Sequence, residues 1–359
     1  MRISRKAIVA AAILMWTTGG SPLADVNVTH AQATGQAIKA GGDRDKFVGT
    51  YRLVTTETKD EKGQWVPNPR SNSLGYILYD ATGQMAAQIM PRDRKKYAAN
   101  EPTPDEARAA IQGYAAYFGT FIVNESEKYV IHRREGQLNP GGDTDLKRFY
   151  EFVGNRLILT PAPAGAPSEP GNNRLIWERL PEVPLSATGK QFVGFRRLAY
   201  SERTVERTPT AGDGPSAQAR TERDSSRRGF IAYTPTGHMA VQIVRPNRQK
   251  YAGQTPTPEE AKAALQTYTS YFGRFSVDEA GKFVIHHQDG HLNPNTAGAD
   301  AKRFFQFDGT RLTLRPPSTT NNGETVTNRL IWEMPPPAAS SAAAAVRGPA
   351  AARPLTRRS

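Results

Sequence analysis

No cysteine occurs among the 359 residues. That absence excludes disulfides, thiolate metal sites and cysteine nucleophiles, and with them a lipidated N-terminal cysteine. Long apolar runs are missing as well. The chain starts "MRISRKAIVAAAILMW", a basic head followed by the apolar stretch Ala7 to Trp16. That stretch is too short to span a bilayer. It reads as a secretory signal peptide over residues 1–33. Cleavage is expected after Ala33, in Ala31-Gln32-Ala33. Ala24 is the alternative site, and an uncleaved anchor the rival reading. No later segment is apolar enough to cross a membrane. The expectation is an exported protein, periplasmic or secreted, without stable membrane insertion. Catalytic signatures are also absent. There is no G-x-S-x-G, P-loop, G-x-G-x-x-G or H-E-x-x-H. No spacing singles out a carboxylate pair for acid–base work.

The composition that remains is ordinary for a folded chain. Apolar residues make up 38%, enough for real cores, while 27 prolines and 31 glycines point to many turns and a disordered fraction. The formal net charge is +13. Part of it lies in the two terminal arms, in Arg2, Arg5, Lys6, Arg347, Arg353, Arg357 and Arg358. Such charge argues for solubility and attraction to anions. A nucleic-acid partner is not expected, because the motif aromatics fall in strand patterns.

The chain repeats itself. "GYILYDATGQMAAQIM" from Gly75 returns as "GFIAYTPTGHMAVQIV" from Gly229, an offset of 154. "YAAYFGTFIV" from Tyr114 returns as "YTSYFGRFSV" from Tyr268, and "NRLIWE" at Asn173 returns at Asn328. "FVGTYRL" at Phe47 returns as "FVGFRRL" at Phe192, so the length difference falls in the first loop. Two domains follow, 45–182 and 189–335, joined by "PEVPLSATG". An Ala/Pro-rich basic tail, 336–359, reads as disordered.

Each repeat reads as about eight strands and one helix. Strand-like runs cover Phe47 to Thr58, Leu74 to Tyr79, Gln84 to Met90, Phe118 to Asn124, Lys128 to Gly136, Leu146 to Val153, Arg156 to Thr160 and Asn173 to Leu180. "TPDEARAAIQGYAAY" supplies a helix with Thr103 as N-cap and Pro104 at its first position. Ala107, Ile111, Tyr114 and Phe118 approximate one face of it. In this reading Phe118 or Phe272 docks the helix, and Gly119 or Gly273 permits the turn into the next strand. Eight antiparallel strands remove both edges by closing into a barrel. A sandwich is the rival. The fold class is therefore mainly β: two tandem eight-stranded antiparallel β-barrels, each with one α-helix.

The ordered set "FVGTYRL", "GYILYDATGQMAAQ", "YAAYFGTF", "IHRREGQL", "KRFYEF" and "NRLIWE", present twice, resembles the bacterial and fungal lipocalin-like domain family, distant relatives of the calycins. Tyr51 and Phe195 stand where lipocalins usually carry the Trp of G-x-W. The resemblance implies small barrels with room for a ligand.

Candidate ligand-binding residues are polar or aromatic positions matched between the copies. Arg148 and Tyr150 share a strand face, as do Arg303 and Phe305, and an arginine among aromatics can hold an anion bidentately. A structural arginine closing a barrel end is the rival. Gln88 and Gln242 match in the second hairpin, but periodicity does not say whether they face a cavity. His132 and His286 are candidate general bases or hydrogen-bond donors. Tyr114 and Tyr268 are expected to approach a cavity. Arg94, Lys96 and Tyr97, matching Arg248, Lys250 and Tyr251, read as a solvated loop or a basic rim. "HHQDGH" places His287, Asp289 and His291 at alternate positions. On a regular strand they share a face and suit a divalent metal, with a solvated polar face as the default. Trp65, in the first loop, can cover a barrel mouth. No cofactor, metal or catalytic residue is assigned. The expectation is binding of a small, partly apolar, anionic ligand in a barrel. The alternatives are a barrel-interior isomerase or cyclase using His132 or His286, and an interaction module with filled barrels.

Overall fold

The computed structural model describes residues 42–335 apart from 143, 164–165 and 208–218. The expected signal peptide and basic tail lie outside the described residues. The first repeat runs α1 (Asp43–Phe47), β1 (Gly49–Lys59), β2 (Trp65–Pro67), β3 (Ser73–Tyr79), β4 (Gln84–Pro91), α2 (Pro104–Gln112), β5 (Ala115–Asn124), β6 (Tyr129–Gln137), β7 (Asp145–Val153), β8 (Arg156–Pro161) and β9 (Asn173–Arg179). Neighbouring strands pair antiparallel in the order β1-β3-β4-β5-β6-β7-β8-β9, and β9 pairs back onto β1. That last ladder closes an eight-stranded barrel and leaves no open edge. The short β2 extends the far end of β1.

The second repeat runs α3 (Ala187–Phe192), β10 (Gly194–Arg207), β11 (Arg220–Asp224), β12 (Arg228–Tyr233), β13 (His238–Val244), α4 (Pro258–Gln266), β14 (Tyr268–Asp278), β15 (Phe283–His291), β16 (Asp300–Asp308), β17 (Arg311–Arg315), β18 (Thr319–Asn321) and β19 (Glu324–Glu333). It closes in the same way through β10 and β19. Both closing ladders slip at the same place, between Leu53 and Thr55 and between Leu198 and Tyr200.

Three local readings change. Phe47 and Phe192 end short helices instead of starting strands. Each is fully buried and meets four aromatic rings of its own barrel, so it plugs one end. Second, α2 stops at Gln112, sooner than the apolar spacing suggests. Its start is as expected, with Thr103 and Glu106 in a reciprocal capping box and Pro104 in the first turn. Third, Gly119 lies inside β5, not at a helix-to-strand turn. There β5 and β6 slip register, with Phe118 opposite Gly136 and Gly119 opposite Arg134.

Two of the three buried clusters fill the barrels. The third lies between them. It joins Tyr76, Leu78, Ala86, Ile111, Tyr114 and Phe118 of the first repeat to Phe195, Phe230, Ala240, Ala261, Tyr268 and Phe272 of the second. The outer faces of β3–β5 and β12–β14 are thus packed against each other, with α2 and α4 in contact beside them. The contacts are near-symmetric. Arg94 donates to the carbonyls of His291 and Leu292, each at 2.7 Å, and Arg248 donates to those of Gln137 and Leu138. These arginines are half-buried bridges between barrels, not members of a solvated loop.

Candidate functional site at the open end of the first barrel

Strand alternation builds the site. On β7, Leu146, Arg148, Tyr150 and Phe152 turn toward the interior. Tyr150 and Phe152 join the aromatic plug around Phe47 at the closed end. The Tyr150 hydroxyl donates to Asp43 Oδ2 at 2.9 Å, and Lys128 and Lys46 hold that carboxyl well below the usual carboxylate range. Arg148 lies toward the other end, only 4% exposed. There a cavity of about 640 Å³ opens, rimmed by the segments after β6 and between β8 and β9.

The cavity has apolar walls from Ile89, Ala115, Leu138, Leu146, Leu175, Pro161 and Pro163. Its charged lining is mostly cationic: Arg70, Arg134, Lys147, Arg148 and Arg174 against Asp145 alone. Two of these are balanced nearby. Arg174 pairs with Glu57, and Asp145 with Arg133. Lys147 turns its ammonium toward the rings of Tyr129 and Phe149. Arg148 Nη1 donates to the Lys147 carbonyl at 3.0 Å, and burial lowers its pKa while the Tyr117 and Tyr79 hydroxyls act the other way. Burial lowers that of Arg70 as well. Two buried wall acceptors, Gln137 Oε1 and Asn173 Oδ1, have no protein hydrogen-bond partner. Trp65 stacks on Arg174, its ring centroid 4.4 Å from the guanidinium carbon, and so sits over a lining residue.

Behind the cavity, Tyr117 connects to a buried histidine. His132 is fully buried, with Nδ1 2.9 Å from the Tyr117 hydroxyl and Nε2 2.8 Å from that of Tyr79. His286 repeats this with Tyr271 at 3.0 Å and Tyr233 at 2.7 Å. Burial, then the nearby Arg148 and Arg134 charges, pushes the His132 pKa well below its usual range. Burial does the same to His286, aided by Arg303. Both imidazoles are therefore neutral, with one ring nitrogen donating and one accepting.

The ten candidate residues scatter. Arg148 lines the 640 Å³ cavity. His132 lies one tyrosine behind it, His286 holds the matching place in the second barrel, and Tyr150 sits in the closed end. Phe305 packs on Phe192 and borders a 360 Å³ pocket with Tyr200, Glu202, Arg315 and Arg329. Arg303 donates to the Lys302 carbonyl at 2.8 Å. The other four face the opposite barrel. Gln88 Nε2 donates to Ser270 Oγ and the Tyr271 carbonyl at 2.9 Å. Gln242 Nε2 donates to the Tyr117 carbonyl at 3.1 Å, and its Oε1 accepts from the Tyr268 hydroxyl. Ser270 Oγ donates to the Tyr114 hydroxyl. Tyr268 also borders a 270 Å³ cleft beside α4. His287, Asp289 and His291 do not form a ligand set. β15 slips register beside Gly273, His287 pairs with Asp300, and His291 stacks on Tyr271 at 5.6 Å. No group of three metal-ligating side chains occurs among the described residues.

Reading the sequence missed Tyr117, Tyr79, Arg134 and Arg70. The two tyrosines recur as Tyr271 and Tyr233, so matching between copies was an available signal. Arg134 faces Gln288 in the alignment, so a search for matched residues passes over it.

The model of the lipocalin-like domain matches residues 48–180 and 225–334. No curated protein matches the chain. Among solved structures, a protein of unknown function from the DUF3598 family of Nostoc punctiforme is similar at 10% identity, covering 80% of this chain and 96% of that one, with a TM-score of 0.21. A transferrin-binding protein B variant of Haemophilus parasuis is 8% identical over 79% of this chain and 75% of that one, with a TM-score of 0.19. No helix among the described residues is long and apolar enough to cross a membrane.

Proposed function

The chain belongs to the lipocalin-like domain family, and from that premise we propose that it binds a small, partly apolar, anionic ligand at the open end of its first barrel. The observation that carries this reading is the 640 Å³ cavity with apolar walls and a buried guanidinium, Arg148, at its lining. A volume of that size suits a small organic molecule. Burying a guanidinium costs several kcal/mol, and an arriving carboxylate or similar anion offsets part of that cost. Gln137 Oε1 and Asn173 Oδ1 favour a ligand that also carries hydrogen-bond donors. Binding is then sequestration: the walls give affinity and the polar groups give orientation.

Catalysis by His132 finds less support, since the ring does not line the cavity and both of its nitrogens are engaged by tyrosine hydroxyls. The basic head and apolar run of residues 1–16 support an exported setting. Native mass spectrometry of protein purified from its host, with a thermal-shift screen of small anionic amphiphiles, tests the reading. A bound mass or a saturable rise in melting temperature is expected. No adduct and no shift across the screen overturns it.

A further inference from the structure

A second constellation stands on the outer face of the second barrel. Ser276 on β14, His287 on β15 and Asp300 on β16 occupy three adjacent strands. Ser276 Oγ lies 2.9 Å from His287 Nε2, and His287 Nδ1 lies 2.7 Å from Asp300 Oδ1. A carboxylate only accepts hydrogen bonds, so Nδ1 carries the proton and Nε2 presents its lone pair to the serine hydroxyl. Serine, base and orienting carboxylate then stand in the order that activates a hydroxyl for acyl transfer. The arrangement belongs to one copy. The matching positions of the first barrel are Ile122, Arg133 and Asp145, where Arg133 simply pairs with the carboxylate.

The surroundings suit a small acyl group. Ile285 is directly opposite Ser276 in the ladder and supplies apolar support. Arg274 precedes Ser276 by two residues on the same strand face; its guanidinium pairs loosely with Asp289 at 3.7 Å and its side chain is 64% exposed, so it can exchange that partner for a developing oxyanion. We propose that Ser276, His287 and Asp300 form an esterolytic site for small, accessible acyl esters, with Arg274 stabilising the oxyanion. Ser276 Oγ forms a bond to the ester carbonyl carbon as its proton passes to His287 Nε2. The carbon–alkoxide bond then breaks, and the proton leaves with the alcohol. Water, deprotonated by the same nitrogen, releases the acyl group as a carboxylic acid and restores the serine. An open sheet face gives the substrate little to bind, so the alcohol portion is loosely specified.

The full chain treated with a fluorophosphonate probe tests this. Fluoride leaves, and one adduct at Ser276 is expected by intact mass and peptide mapping. Ser276→Ala removes the adduct, and His287→Gln slows its formation by about 100-fold, the usual contribution of a general base. Hydrolysis of p-nitrophenyl acetate falls in parallel. All three residues lie on the surface, and melting temperatures of the variants report that folding is retained. No adduct at Ser276, or labelling as fast in His287→Gln as in the parent, overturns the proposal.

Discussion

Two residues illustrate how differently a buried charge and a buried neutral group act. The protein keeps the Arg148 guanidinium under desolvation, which is a cost to folding. Arg148→Met retains most of the volume and removes the charge. Its melting temperature is expected to hold or rise, while occupancy by the co-purifying ligand falls about ten- to a hundred-fold, the effect of one charged hydrogen bond of about 1.5–3 kcal/mol. Native mass spectrometry and thermal melts of the two proteins side by side check this. A purely structural arginine would instead lower the melting temperature. His132 and His286 act through protons. In the unfolded chain each imidazole is protonated below its usual 6.5, but in the fold burial keeps it neutral to much lower pH. The unfolded state therefore takes up more protons as pH falls, and stability declines below about pH 6.5. The slope approaches about 1.4 kcal/mol per pH unit for each histidine. Urea midpoints between pH 7.5 and 5 are expected to show this decline. His132→Asn is expected to lose about 2 kcal/mol at neutral pH, from the broken tyrosine bonds, and to show a shallower acid slope. The alternation that puts Arg148 and Tyr150 on one face was legible in the sequence. The pairing of each histidine with two tyrosines was not, because it joins three strands whose register only the closed barrel sets.

Among the elements, the strands were mostly legible and the junction at "YFG" was not. Apolar positions at 107, 111, 114 and 118 suit a helix, yet positions 114, 116 and 118 suit a strand equally well, and short apolar runs do not discriminate. The structure resolves the ambiguity through packing: Tyr114, Ala116 and Phe118 form one row that the second barrel covers. The glycine's role follows. A Cβ on Gly119 would lie 2.0 Å from the Arg133 carbonyl oxygen, and one on Gly273 1.9 Å from that of His287. Neither neighbour is a flexible side-chain tip, so the β5–β6 and β14–β15 slips require glycine. Gly119→Ala and Gly273→Ala are each expected to cost about 2–3 kcal/mol or more by overpacking, read as a lowered urea midpoint. Gly253→Ala, whose Cβ meets nothing closer than 3.8 Å, serves as the control and should shift the midpoint little. The same slip explains why alternate spacing misleads for His287 and His291. One extra residue in β15 reverses which face the following side chains take.

At the scale of the whole molecule, the two barrels behave as one body. A clue was present in "GYILYDATGQMAAQIM", whose strands are apolar at nearly every position. A strand with one wet face alternates, whereas one buried on both faces reads as a continuous apolar run. Here Ile77, Tyr79, Met85 and Ala87 face the barrel interior, and Tyr76, Leu78 and Ala86 face the other barrel. Period alone could not assign Gln88, because both of its alternatives are buried. The interface is also polar at defined points, since Arg94 and Arg248 close on carbonyls of the opposite repeat. A duplicated chain with near-symmetric contacts has the form of a tied homodimer, and the tie at residues 181–186 adds mainly effective concentration. A protease site engineered there and cut in the folded protein is therefore expected to leave both halves co-eluting as one species at micromolar concentration. Uncut, the parent should melt in a single transition. Arg94→Ala leaves the carbonyls of His291 and Leu292 without that donor, at a cost of about 2–4 kcal/mol. Adding Arg248→Ala removes the matching clasp. The double variant is expected to separate into two melting transitions and, once cut, into two eluting halves. Halves of the cut parent protein that drift apart at once would show that the linker, not the buried face, holds the barrels together.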